Sequence, residues 1–151
     1  MTSAPTRERS GASAPRRRRT STGKPAQSQP ATPTAPSSAT FTDLGVPTSL
    51  STVLATQGIT SPFPIQTATL PDSMAGRDVL GRGRTGSGKT VAFALPLVTR
   101  LAEGPKSRPG RPRGLVLLPT RELASQVQAT IAPLAKAAGL TTATVYGGVS
   151  Q

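Results

Sequence analysis

A chain of 151 residues with 18 Lys and Arg against 6 Asp and Glu carries a net charge of +12, and by length it holds one domain at most. It has no cysteine and no histidine, which excludes disulfides, Cys- or His-ligated zinc and histidine-based acid–base chemistry from this stretch. No apolar run approaches the roughly 18 residues of a membrane span, and the basic balance points to a polyanionic partner.

Residues 1–40 contain no aromatic side chain and no aliphatic one larger than alanine except Met1, but many Ser, Thr, Pro and Arg. Such a segment cannot bury enough apolar surface to offset its ordering entropy, so a disordered basic tail is expected over 1–40. Seven basic residues and one acidic residue give it a charge of 7 − 1 = +6, densest at Arg16 to Arg19. That cluster either engages a polyanion or keeps the chain soluble. The tail lacks the apolar region of a secretory signal, and its prolines oppose the amphipathic helix of an organelle transit peptide. A reducing cytoplasm fits the absence of cysteine.

Residues 41–151 form the segment that can bury a core. In "FTDLGVPTSLSTVLATQGI", Leu44, Val46, Leu50, Val53 and Leu54 recur at near-helical spacing and Gly58 is placed to stop a helix. A second helix is expected over Pro64 to Met74, ending near Gly76. "DVLGR", Asp78 to Arg82, reads as a short strand, and "TVAFALPLVTRLAE", Thr90 to Glu103, as a helix whose last turns Pro96 should bend. "GPKSRPGRPR", Gly104 to Arg113, is a basic Pro/Gly surface loop. "GLVLLP" reads as a buried strand, "RELASQVQATIAPLAKAAG" as a helix and "TTATVYGG" as a third strand ending in a turn. Strands alternating with helices of this length imply an α/β fold, a parallel sheet with flanking helices and ligands at the carboxyl ends of its strands.

Between the first strand and the long helix lies "GRGRTGSGKT". Its last eight residues, Gly83 to Thr90, fit G-x-x-x-x-G-K-[ST], the phosphate-binding loop. Glycines let backbone N–H groups converge on an anion, and a helix starting at about Lys89 adds its unpaired first-turn N–H groups and the positive end of its dipole. Through Arg84, Thr85, Gly86, Ser87 and Gly88 the loop would cradle phosphates. Lys89 would reach the β and γ phosphates, and the Thr90 hydroxyl would hold the Mg²⁺ that accompanies a nucleoside triphosphate. Lys89 and Thr90 are thus the candidate catalytic residues.

A phosphate loop alone does not choose among nucleotide enzymes, but three further stretches narrow the field. "GITSPFPIQ", Gly58 to Gln66, precedes the loop, with Phe41 upstream of it. "PTRELASQ", Pro119 to Gln126, follows the second apolar strand, and Gly147-Gly148 follows the third. This ordered set resembles the DEAD-box RNA helicases, over about Phe41 to Gln151. The resemblance implies a RecA-like P-loop NTPase domain, ATP and Mg²⁺ as cofactors, and RNA as the polymer gripped. It implies that Gln66 reads the adenine edge and Phe41 stacks on the ring; a carboxamide does offer a donor and an acceptor that match adenine N6 and N7. It also implies that Thr120, Arg121 and the backbone of Gly147 and Gly148 touch RNA phosphates, which gives affinity without sequence preference. Departures from the family pattern are Gly83 where alanine is usual, Phe63 where Thr or Ser is usual, and Ile59 where an aromatic is frequent.

The sequence stops at Gln151, before any D-E-A-D, S-A-T or second-domain arginine motif. The expectation is an incomplete first RecA-like domain, with a second such domain in the full-length protein and no ATP turnover by residues 1–151 alone. Two other readings stay open at this point: another P-loop enzyme such as a DNA helicase or small-molecule kinase, and a non-enzymatic basic RNA-binding fragment.

Overall fold

The computed structural model describes residues 39–147. The expected disorder over 1–40 falls almost wholly outside that range, as does Gly148. Four helices follow in order: α1 Thr48–Thr56, α2 Pro64–Met74, α3 Lys89–Glu103 and α4 Arg121–Ala137.

The first helix begins later than its apolar spacing suggests. Pro47 is its N-cap residue, and a proline disfavours helical geometry in the residue before it, so Leu44 and Val46 lie in a preceding turn. That turn is built by a reciprocal pair. The Thr40 N–H and hydroxyl donate to Asp43 Oδ2 at 2.8 and 2.7 Å, and the Asp43 N–H donates back to Thr40 Oγ1 at 3.2 Å. The Thr40 backbone N–H, then its hydroxyl, hold the Asp43 carboxyl below the usual aspartate range. The Phe41 carbonyl accepts from the N–H groups of Leu44 and Val46 at 3.2 and 3.0 Å, and this closed turn fixes the Phe41 ring inward.

α3 is the central element, packed against α2 on one side and α4 on the other, while α1 packs on α4. Its residues Val91, Ala94, Leu95 and Val98 repeat with helical period on the buried face. They meet Leu70 of α2, Val127, Ile131, Leu134 and Ala135 of α4, Leu50 and Leu54 of α1, and Phe41 and Val46 in one core. The one hydroxyl on that face, Thr99 Oγ1, donates to the Leu95 carbonyl at 2.9 Å, so its burial leaves no orphaned donor. α3 runs unbroken through Pro96.

The three stretches with strand-like sequence, 78–82, 114–119 and 141–147, carry no strand ladder among the described residues. No backbone hydrogen bond joins any one of them to another, and parallel pairing requires such bonds at even spacing. The middle stretch nevertheless keeps the alternation of a strand. Val116 and Leu118 pack against the core, whereas Leu115 and Leu117 are 78% and 83% exposed. The helical layer therefore covers one side of this stretch, and its other apolar side stands open.

Candidate functional site

The phosphate loop leads directly into α3. Gly88 is the N-cap of that helix and adopts a left-handed backbone, φ 82 and ψ 18, and Gly86 is likewise at φ 78. At Gly88 a side chain is doubly excluded: a Cβ there would also lie 2.7 Å from Cδ2 of Phe63. Among the described residues, the N–H groups of Gly86, Gly88, Lys89 and Thr90 donate to no backbone carbonyl. They are the open donors that an anion at a helix start would meet.

Lys89 Nζ donates to the carbonyls of Gly83 and Arg84 at 2.7 and 2.6 Å, so the ammonium folds back across the loop. Arg84, Thr85 and Gly86 are exposed, and Ser87, Gly88, Lys89 and Thr90 are half-buried. Ser87 Oγ is buried without a hydrogen-bond partner, and a Cβ on Gly83 would stand 2.7 Å from it. Glycine in place of the family's usual alanine at position 83 thus makes room for the Ser87 hydroxyl. An unpartnered hydroxyl, open N–H groups and an ammonium in one loop fit a polyphosphate. For a divalent cation the loop offers hydroxyls, with Thr90 at the helix start, and no carboxylate; no group of three or more Asp or Glu residues gathers among the described residues.

Helix α2 is tied to this loop by Gln66. Its carboxamide is fully buried: Oε1 accepts from the Phe63 N–H at 2.9 Å and Nε2 donates to the Gly88 carbonyl at 3.0 Å. The structure places Phe41 differently from the stacking position the resemblance implies. Its ring is 3% exposed inside the core, because the Thr40–Asp43 turn directs it there, and it presents no face to a base. The aromatic beside the loop is Phe63, 49% exposed, which sequence reasoning noted only as a departure. The signal available was its place directly before Pro64 at the start of α2.

A second group forms at the start of α4. Thr120 is the N-cap residue, its Oγ1 accepting from the Leu123 N–H at 3.2 Å. Arg121 is exposed; its guanidinium donates to the Gly147 carbonyl and lies 5.9 Å from the centroid of the Tyr146 ring. Tyr146 Oη and Ser125 Oγ are 2.9 Å apart, and Gln128 Nε2 donates to Thr142 Oγ1 at 2.7 Å. Hydrogen bonding to Ser125, then to Thr144, with the nearby Arg121 charge, holds the Tyr146 phenol below its usual range. Thr120, Arg121 and Gly147 thus come together from distant parts of the sequence, and Gly148 lies outside the described residues. Tyr146 joins the group without having been singled out; as the chain's one tyrosine directly before the glycine pair, it carried a usable signal.

Residues 63–151 match the DEAD/DEAH box helicase family. The DEAD-box ATP-dependent RNA helicase 3 of Helianthus annuus is 51% identical over 112 residues, covering 71% of this chain and 47% of that protein. The ATP-dependent RNA helicase SrmB of Escherichia coli (strain K12) is 46% identical over 111 residues, covering 74% and 25%. Among solved structures, the RNA helicase Prp28 from Chaetomium thermophilum, crystallised bound to ADP, aligns with a TM-score of 0.65 at 38% identity, covering 72% of this chain and 26% of that one. The chain spans less than half the length of each of these three proteins.

Proposed function

The chain belongs to the DEAD/DEAH box helicase family, and from that premise we propose that it supplies the nucleotide-binding part of an ATP-dependent RNA helicase. The observation that carries the proposal is the Gly83–Thr90 loop, with left-handed Gly86 and Gly88, free N–H donors and Lys89 at the start of α3. ATP is the triphosphate named for the relatives, and the Prp28 crystal holds ADP.

Gly86, Gly88 and Lys89 bind phosphate oxygens through their open backbone N–H groups and Ser87 through its hydroxyl, with Arg84 and Thr85 at the loop's outer rim. Lys89 releases the Gly83 and Arg84 carbonyls and turns its ammonium toward the anion. Thr90 would hold Mg²⁺ through its hydroxyl, and the bound cation would neutralise charge on the phosphates. Gln66, fully buried here on the Phe63 N–H and the Gly88 carbonyl, releases the Gly88 carbonyl and turns its amide to the base, where a donor and an acceptor match adenine N7 and N6. Phe41 acts from the core, by holding the turn that precedes this segment. Thr120, Arg121, Gly147 and Gly148 bind RNA at the phosphate backbone, supported by the charge of Arg121 and the free space around Gly147. Unwinding engages a second RecA-like domain, and the cysteine-free composition suits a reducing cytoplasm. No described helix is long and apolar enough to cross a membrane.

Titration of the purified chain with ATP and Mg²⁺ tests this reading. Charge-assisted hydrogen bonds contribute about 1.5–3 kcal/mol each, so Lys89→Ala weakens binding by about 10- to 100-fold while helix content is retained. Equal ATP affinity in the variant overturns the assignment of the loop. Residues 1–151 contain no D-E-A-D sequence and no described carboxylate cluster, so the chain alone is expected to bind ATP without turnover. Steady hydrolysis lost on Lys89→Ala would show the catalytic set to be complete without them.

A further inference from the structure

The Gly104–Arg113 loop is not shapeless. Arg108 and Arg111 form an antiparallel bridge, closed by the Arg111 N–H donating to the Arg108 carbonyl at 3.0 Å. Between them, Pro109 occupies the position whose φ the ring fixes, and Gly110 follows at φ 70. That is a type II turn with proline and glycine where each is favoured. Pro105 and Pro112 restrict the backbone on either side, so the loop is a pre-formed finger at the carboxyl end of α3. At its root, the Arg113 guanidinium lies against Gly104, where a Cβ would come within 2.8 Å of Nη1 and where positive charge suits the helix end.

The finger brings two arginines side by side. Like charges directly opposite each other on paired strands repel, and here nothing relieves them. Among the described residues Lys106, Arg108 and Arg111 make no ion pair and no side-chain hydrogen bond, the one salt bridge being Arg77–Asp72. All three are exposed, and 104–113 contains no acidic residue. Apart from prolines it contains no aliphatic or aromatic side chain to serve as the large buried anchor on which protein interfaces concentrate their energy. Unpaired cations on a stiffened backbone, with no apolar anchor, match a phosphate backbone, which is held by charge alone and loses little entropy to a preorganised partner.

We propose that the Lys106–Arg108–Arg111 finger is a second RNA-binding site, which grips phosphates of single-stranded RNA away from the Arg121 group. Fifteen residues of α3, about 22 Å of helix, separate it from the phosphate loop, so its RNA contact does not depend on bound nucleotide. The proposal shares with the preceding reading only the identity of the polymer.

The test is binding of the full chain to a single-stranded oligoribonucleotide over a range of salt, without nucleotide. Each cation–phosphate contact on a single strand contributes about 0.7 to the slope of log affinity against log salt. The variant Lys106→Gln/Arg108→Gln/Arg111→Gln is therefore expected to lower the slope by about 2 and to weaken unrelated RNA sequences alike. Arg108→Lys/Arg111→Lys, which keeps the charge, is expected to retain the slope. A second readout needs no variant: Lys106 of the wild-type chain is expected to cross-link to RNA with a periodate-oxidised 3′ end. An unchanged slope in the neutralised variant, no cross-link at Lys106, or displacement of RNA from the finger by polyglutamate of equal charge overturns the proposal, the last assigning it to acidic protein. Arg121→Gln in the same assay keeps the two readings apart. If Arg121 leaves RNA affinity untouched while the finger lowers the slope, the Arg121 group fails and the finger stands.

Discussion

Gln66 joins two segments far apart in the sequence. Its amide spans the first turn of α2 and the carbonyl at the N-cap of α3, and it is fully buried. Gln66→Ala leaves that pair unsatisfied, a loss of about 1–3 kcal/mol, and is expected to lower the urea midpoint of the chain and to narrow any preference for ATP over GTP. An unchanged midpoint would show that the amide does not tie the segments; unchanged discrimination would remove the adenine assignment alone. The glycine and lysine positions of the loop were legible in the sequence because the chemistry demands those residue types at that spacing. The fate of Phe41 was not, since it depends on the reciprocal Thr40–Asp43 bonds, which no apolar pattern reveals. The approach of Phe63 to Gly88 depends on how α2 meets α3, a contact between residues far apart in sequence.

At the scale of elements, α3 unites the core with the loop: its buried face holds Leu95 and its first residue is Lys89. Leu95→Ala should destabilise the chain by about 2–5 kcal/mol through the cavity it leaves, and with it the anchorage of the loop. Chemical denaturation followed by circular dichroism reads that loss; a shift under about 1 kcal/mol would mean that α3 does not hold the core together. Helices α3 and α4 were legible because their apolar residues repeat within one element, and α2, whose buried residues are Leu70 and the polar Gln66, was legible from Pro64 at its start and Gly76 past its end. α1 started late because Pro47 restricts the residue before it. The strands were legible only as composition. A parallel ladder depends on neighbours distant in sequence, and 114–119 shows the alternation of a strand without the hydrogen bonds of one.

Across the whole molecule, positive charge is spread over the N-terminal segment, the finger and the Arg121 group. The seven basic residues before residue 39 are expected to add to RNA binding whatever the RNA sequence. Removing residues 1–38, which spares the Thr40–Asp43 turn, should reduce the salt slope by a few units, at most about 5 if all seven engage at about 0.7 each. The same slope in the shortened chain would make that segment a solubiliser or a targeting signal. The packing of α1 on α4 has a kinetic consequence. α2 meets α3 and α3 meets α4, so those contacts join helices adjacent in the chain, whereas α1 and α4 are separated in sequence by both intervening helices. Closing so long a loop sacrifices chain entropy before any contact repays it. Docking of α1 is therefore expected to follow the transition state of folding, so that weakening Leu50 or Leu54 hastens unfolding and leaves the folding rate nearly unchanged.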